Sequence, residues 1–301
     1  MIRRSKSLGK KHAAFWFAAV TVLAATQTFA TVTAIDALQR TVVLDQPAQR
    51  LVTLAPYLAE LAFASGSGDL VVGTVEYSDY PITAQRIPRI GNSNLINYEA
   101  VIALQPDLVL VWQTGNGVDV MEKLVALQLP FYVSEPGELD DIANELVQIG
   151  QLTGRLTEGK RSADNFTTEL ENLRGQFQNR ERISVFYELW HEPMQTLNRN
   201  HIVSDVIQLC GGQNIFAAAK AIAPVVGIEA ILAANPQAII VSGIGMEKPD
   251  WMSTWQNWPT LQAVRKQHIY FVPADLLQRH TPRILEGARQ LCDNLEAVRK
   301  Q

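Results

Sequence analysis

Few residues of this chain are spaced for covalent chemistry. Beyond residue 30 it holds four histidines, His191, His201, His268 and His280, scattered rather than grouped as metal ligands. No G-x-S-x-G nucleophile elbow is present, and Gly66-Ser67-Gly68 reads as a turn. Gly243-Ile244-Gly245 lacks the third glycine of a dinucleotide fingerprint, and His191-Glu192-Pro193 is not H-E-x-x-H. No catalytic set, resident metal or cofactor is therefore expected. A secreted α/β hydrolase stays as the rival reading, because paired carboxylates have no fixed sequence spacing.

Binding chemistry is better represented. Tyr57, Tyr77, Trp112 and Trp190 each fall at the end of an apolar strand pattern or in the loop just after one. In parallel α/β sheets that edge faces the ligand crevice, so the four together point to a binding face. The polar loop Asp275-Leu276-Leu277-Gln278-Arg279 follows the strand pattern Ile269 to Val272 and could face the same cleft. A surface ion pair one helical turn apart explains its Asp and Arg equally well. Trp251, Trp255 and Trp258, spaced 4 and 3, read instead as one face of a short helix packed on its own lobe.

A repeated unit must position these side chains. Glu99-Ala100-x-x-Ala103-x-x-Pro106-x-x-x-x-Val111 recurs as Glu229-Ala230-x-x-Ala233-x-x-Pro236-x-x-x-x-Val241. Each copy is a short helix, a proline break and a buried strand. Strands alternating with helices argue for parallel sheets, so two copies predict two similar α/β lobes with a cleft between them. Ala163, Phe166, Leu170, Leu173 and Phe177 recur at the helical period between the lobes, as one rigid connecting helix would. The expected division is a leader over 1–30, an N-terminal lobe over 31–153, the connecting helix over 154–180 and a C-terminal lobe over 181–301. Glu60 falls where an acid complements the start of a helix, and so do Glu99 and Glu229. The matched positions of Glu99 and Glu229 also suit a pair of exposed carboxylates gripping a two-fold symmetric basic partner.

The first 30 residues pair a basic start (Arg3, Arg4, Lys6, Lys10, Lys11) with the apolar run Ala13 to Ala25 and small residues flanking Phe29. That is a cleavable secretory signal of the general route, too short for a stable membrane span. No Cys lies near the cut for lipid attachment. The chain carries 26 basic and 30 acidic residues, and losing five basic ones with the leader takes the charge from −4 to −9. So acidic a product disfavours nucleic acid as a partner. Cys210 and Cys292 are the sole cysteines. An oxidising compartment favours a disulfide closing an 82-residue loop, worth about 4–5 kcal/mol in the chain-entropy model. Two free buried thiols or a metal site are the alternatives.

Several longer stretches carry a resemblance. Gln49 to Pro56, Glu60-Leu61, Val72-Gly73, Tyr77-Ser78-Asp79-Tyr80-Pro81 and Pro106-Asp107-Leu108-Val109 resemble the periplasmic binding proteins of ABC importers for metal–chelate complexes. The segments around Cys210-Gly-Gly-x-Asn214-Ile215-Phe216 and Pro282-Arg283-Ile284 to Cys292 are similar to its cobalamin-binding branch. The resemblance implies two α/β lobes bridged by one long helix, with restricted hinge motion. It implies a monomeric carrier in the periplasm, a corrinoid ligand, and docking of Glu99 and Glu229 onto arginines of a dimeric permease. It also implies a Cys210–Cys292 disulfide and ligand contacts at Tyr77, Trp112 and the Asp275–Arg279 loop. The aromatics that the family places near Asn94 and Ala223 are absent from this chain, and its own strand-end aromatics Tyr57 and Trp190 are expected to stand in for them. A ferric siderophore or haem is the alternative cargo within the same class.

Overall fold

The structure is a computed structural model describing residues 1–2, 31–177, 179–243 and 245–301. The leader expected over 1–30 lies, but for its first two residues, outside the described residues. An antiparallel hairpin opens the fold, β1 (Val32–Ile35) with β2 (Thr41–Leu44). The first parallel sheet then follows with its helices: β3 (Leu51–Thr53), α1 (Pro56–Ala64), β4 (Val71–Thr74), α2 (Tyr98–Ala103), β5 (Leu108–Trp112), α3 (Gln113–Ala126) and β6 (Phe131–Ser134). Next come α4 (Asp141–Leu152) and α5 (Leu156–Phe177). The second sheet brings β7 (Ile183–Glu188), α6 (Ile202–Leu209), β8 (Gly212–Asn214), α7 (Ile228–Ala234), β9 (Ala238–Val241), α8 (Gln262–Arg265), β10 (Ile269–Phe271), α9 (Ala274–Leu277) and α10 (Ile284–Arg299).

The two sheets have the same topology. The order is β4-β3-β5-β6 in one and β8-β7-β9-β10 in the other, with every pairing parallel. In each, the first strand of the lobe lies between the second and the third. The repeated sequence unit is α2–β5 in one lobe and α7–β9 in the other, the helix leading into that third strand. Both third strands are almost wholly buried, as runs such as Leu108-Val109-Leu110-Val111 and Ala238-Ile239-Ile240-Val241 require when helices cover both faces.

α5 is 22 residues, about 33 Å, and its buried stripe is Gly159, Ala163, Phe166, Leu170, Leu173 and Phe177. It crosses α4 closely: a Cβ on Gly159 would meet the Leu146 carbonyl at 2.5 Å. One core cluster runs from β3 and α1 through α4 and α5 into β7, α6 and α10. The lobes therefore share apolar packing, and a large swing between them would expose it. The disulfide joins Cys210, just past α6, to Cys292 in α10. No helix among the described residues is long and apolar enough to cross a membrane.

Two sequence expectations need correction, and one helix, α3, has no counterpart among them. Glu60 is not in the first turn of its helix, which holds no acid; it is buried further along. α3 follows Trp112 directly, where Gly115 and Gly117 obscure the helical pattern; Gly117 has φ 79° and kinks the segment. Trp251 and Trp255 lie on a 3-10 turn, Asp250–Asn257, whose tighter period does not keep the three tryptophans on one face. Trp255 is buried, whereas Trp258 caps the turn and is partly exposed.

Candidate functional site

The C-terminal ends of the parallel strands in both lobes converge on one cleft of about 340 Å³. Tyr57 enters it from the start of α1, Trp112 from the last position of β5 and Trp190 from just beyond β7. Strand polarity explains the meeting, since a parallel sheet sends every strand-to-helix loop to the same edge. Tyr57 meets Trp112 edge-on at 5.9 Å, and its hydroxyl donates to the Ser134 carbonyl at 3.2 Å and lies 3.1 Å from the Ser134 Oγ. Burial, reinforced by the Glu145 charge, pushes that hydroxyl far above its ordinary range, so it remains a donor. The Trp112 ring lies over Gly115, where a Cβ would stand 1.8 Å from the indole. Its Nε1 is buried and has no partner among the described residues.

The polar side of the cleft comes from the segment after β10. Gln278 donates to the Tyr187 hydroxyl at 3.1 Å and the Ser242 hydroxyl at 3.0 Å. Arg279 reaches across to the other lobe. Its Nη1 lies 2.7 Å from Glu60 and 3.0 Å from Asp79, and its Nη2 bonds the Tyr77 carbonyl and pairs with Asp275. Arg283 and Thr281 also reach Glu60, at 3.2 and 3.0 Å. Burial pushes the Glu60 carboxyl up and these partners pull it back, while Arg279 is held above its usual value by its carboxylates despite burial. Both shifts are upward, which favours the charged guanidinium but disfavours the charged carboxylate. Arg279 decides the matter: with three carboxylates around it the guanidinium stays charged, and Glu60, accepting three donors, stays ionised beside it.

His280 completes the floor, 5.3 Å from the Tyr57 ring and 5.6 Å from His201. Burial holds His280 down to about 3 and His201 to about 4, so both are neutral at physiological pH. The cleft is thus aromatic and amide-lined, and the one guanidinium lining it among the described residues is already neutralised.

The structure gathers Tyr57, Trp112, Trp190, Asp275, Gln278 and Arg279 around this cleft. Leu276 and Leu277, expected with them, are buried on α9 instead, because a one-turn helix packed on its lobe must point some of its side chains inward. Tyr77 is 71% exposed and lies beyond the cleft lining, tied to it through its carbonyl. The Asp275–Arg279 pair is no surface pair, since both side chains are largely buried. Glu60 and His280 were not singled out as site residues. His280 directly follows Arg279 and was therefore within reach of the sequence; no local signal marked Glu60. Glu99 and Glu229 sit exposed in the first turns of α2 and α7, one on each lobe. A larger groove of about 650 Å³ lies beside α6 and β8 and the loop after β6, is lined by none of the strand-end aromatics, and its Arg174 is paired with Asp140.

Two parallel-sheet lobes on one rigid helix, with a cleft at the strand ends, define a bilobed solute-capture protein. The chain belongs to the periplasmic binding protein family, whose model matches residues 51–276. It is 34% identical over 257 residues to the vitamin B12-binding protein of Vibrio parahaemolyticus, covering 85% of this chain and 93% of that one. It superposes on the periplasmic vitamin B12 binding protein BtuF of Vibrio cholerae with a TM-score of 0.79, at 36% identity over 85% of this chain and 99% of that one. The periplasmic haem-binding protein RhuT of Roseiflexus sp. RS-1 shares the fold at 23% identity and a TM-score of 0.73, covering 83% and 99% of the two chains.

Proposed function

We propose that this protein captures a cobalamin in the interlobe cleft of the periplasm and delivers it to the dimeric permease of an ABC importer. The similarity to two vitamin B12-binding proteins supports the ligand class. The observation that carries the choice within the family is the saturation of Arg279 by Glu60, Asp79 and Asp275. An anionic cargo such as a haem with its propionates or a ferric catecholate needs free cations in the cleft. Cyanocobalamin is neutral overall and presents a flat ring edged with amides. Trp112, Tyr57 and Trp190 offer apolar faces to such a ring, and Gln195 and Gln278 offer amide partners. The function is capture and hand-over, with no bond made or broken. The leader over 1–30 would take the chain across the inner membrane and be removed.

Calorimetry with cyanocobalamin on the mature protein tests the reading. Sub-micromolar binding with tryptophan quenching is expected, with haemin and a ferric siderophore much weaker. No heat and no quenching with cyanocobalamin would overturn it.

A further inference from the structure

Trp190 is 41% exposed, yet it forms a wall of the cleft. Little packing holds it there. Its indole Nε1 donates to the Glu192 carbonyl within its own loop, at 2.9 Å. The loop is a tight reversal after β7, in which Trp190 and Gln195 pair backbone to backbone. What ties this reversal to the lobe is the residue next to Trp190. His191 turns back so that its Nδ1 lies 2.9 Å from Oε1 of Glu188 at the end of β7. The other Glu188 oxygen accepts from the indole nitrogen of Trp255 at 2.7 Å, and Trp255 is packed against Phe186 in the lobe core. The outer face of the His191 ring stacks on Trp251, centroids 4.8 Å apart and planes within 8°. Glu188 is fully buried, so both its oxygens are fixed by core and loop rather than by water.

We propose that His191, held between buried Glu188 and the face of Trp251, is a positioning residue that fixes Trp190 as a wall of the cleft. The chain of contacts runs from the core through Trp255, Glu188 and His191 to the tryptophan wall that the second lobe contributes. His191 does not line the cleft and touches no ligand; it acts through its neighbour. A wall set before the ligand arrives spares the ligand the cost of ordering it, so the device acts on affinity. The cleft's ligand itself rests on the reading above, and the mobility of Trp190 does not.

Two measurements decide it. The first needs no ligand. In protein labelled with 5-fluorotryptophan, the Trp190 fluorine resonance, assigned by its loss in W190F, should be sharp. It should broaden or split in H191A and sharpen again in H191N, which restores a donor near the Nδ1 position. An unchanged Trp190 line in folded H191A would overturn the inference, even if cyanocobalamin did not bind at all. The second is a double-mutant cycle with cyanocobalamin. H191A should raise Kd about tenfold in the wild-type background and less than about twofold in W190A. Equal losses in both backgrounds would show a general structural defect and refute the positioning role. Thermal unfolding of each variant confirms that the compared proteins are folded.

Discussion

Glu60 and Arg279 are 219 positions apart in the chain, yet Arg279 Nη1 donates to Glu60 Oε1 across the lobes at 2.7 Å. Thr281 takes the other oxygen and Arg283 shares the first. Arg283 also stacks its guanidinium over Tyr80, 3.8 Å from the ring centre, on the same loop that supplies Asp79. One buried carboxylate thus locks the segment after β10 to the first lobe beside the ligand cleft. The same lock removes the positive charge an anionic cargo would need.

Replacing Glu60 with Gln should destabilise the protein by about 3 kcal/mol, because it leaves Arg279 and Arg283 short of a buried partner. At this chain length that corresponds to a fall in Tm of roughly 6–12 °C. Scanning calorimetry showing a Tm within about 2 °C of wild type would refute the lock.

Trp112→Leu should weaken cyanocobalamin binding about tenfold, the loss of one aromatic face worth about 1 kcal/mol or more. Tyr57→Phe should cost stability instead, about 1 kcal/mol, because its hydroxyl faces Ser134. Titration and unfolding on both variants separate the two effects. The assignment fails if Trp112→Leu binds like wild type.

Glu99→Ala combined with Glu229→Ala should slow uptake in vesicles carrying the cognate permease and leave the ligand Kd unchanged. Both side chains are exposed and neither lines the cleft, and no hydrogen bond or ion pair holds them among the described contacts. Transport at the wild-type rate with the double variant would remove the docking role.

Glu145 supplies a pH dependence. Burial pushes its carboxyl up to about 8 from 4.5, and its Oε2 has no hydrogen-bond partner among the described residues. Between those two values the folded protein holds a proton that the unfolded chain has lost, so stability falls as pH rises through the window. Above about 8 the loss is complete. Glu145→Gln should lack this slope and gain about 3 kcal/mol over wild type between pH 5 and 8. Urea unfolding across that range checks it, and parallel curves would refute the assignment.

Periodicity and short-range pattern carried much of the architecture. The duplicated Glu-Ala…Pro…Val unit announced two lobes because a helix, a proline and a buried strand are each local events. The stripe Ala163 to Phe177 announced a long helix for the same reason, and the strand-end aromatics pointed to the cleft edge because parallel strands all end on one side. Cys210 and Cys292 were read as a pair from their number and compartment.

Local signals stopped where partners are distant in the chain. Glu60 looked like an acid favoured by a helix start, and only the packing of the second lobe turned it into the carboxylate that holds Arg279. Arg279 itself suited either a ligand anchor or a surface pair, and its surroundings decided for neither. Leu276 and Leu277 share a loop with cleft residues but face the core, since a single helical turn must point some of its side chains inward. The sequence by itself determined most strands and helices, the duplication and the edge at which the cleft opens, because each is a local pattern. Which side chains line that edge, and which charges cancel there, were decided by tertiary contact between segments that no local pattern links.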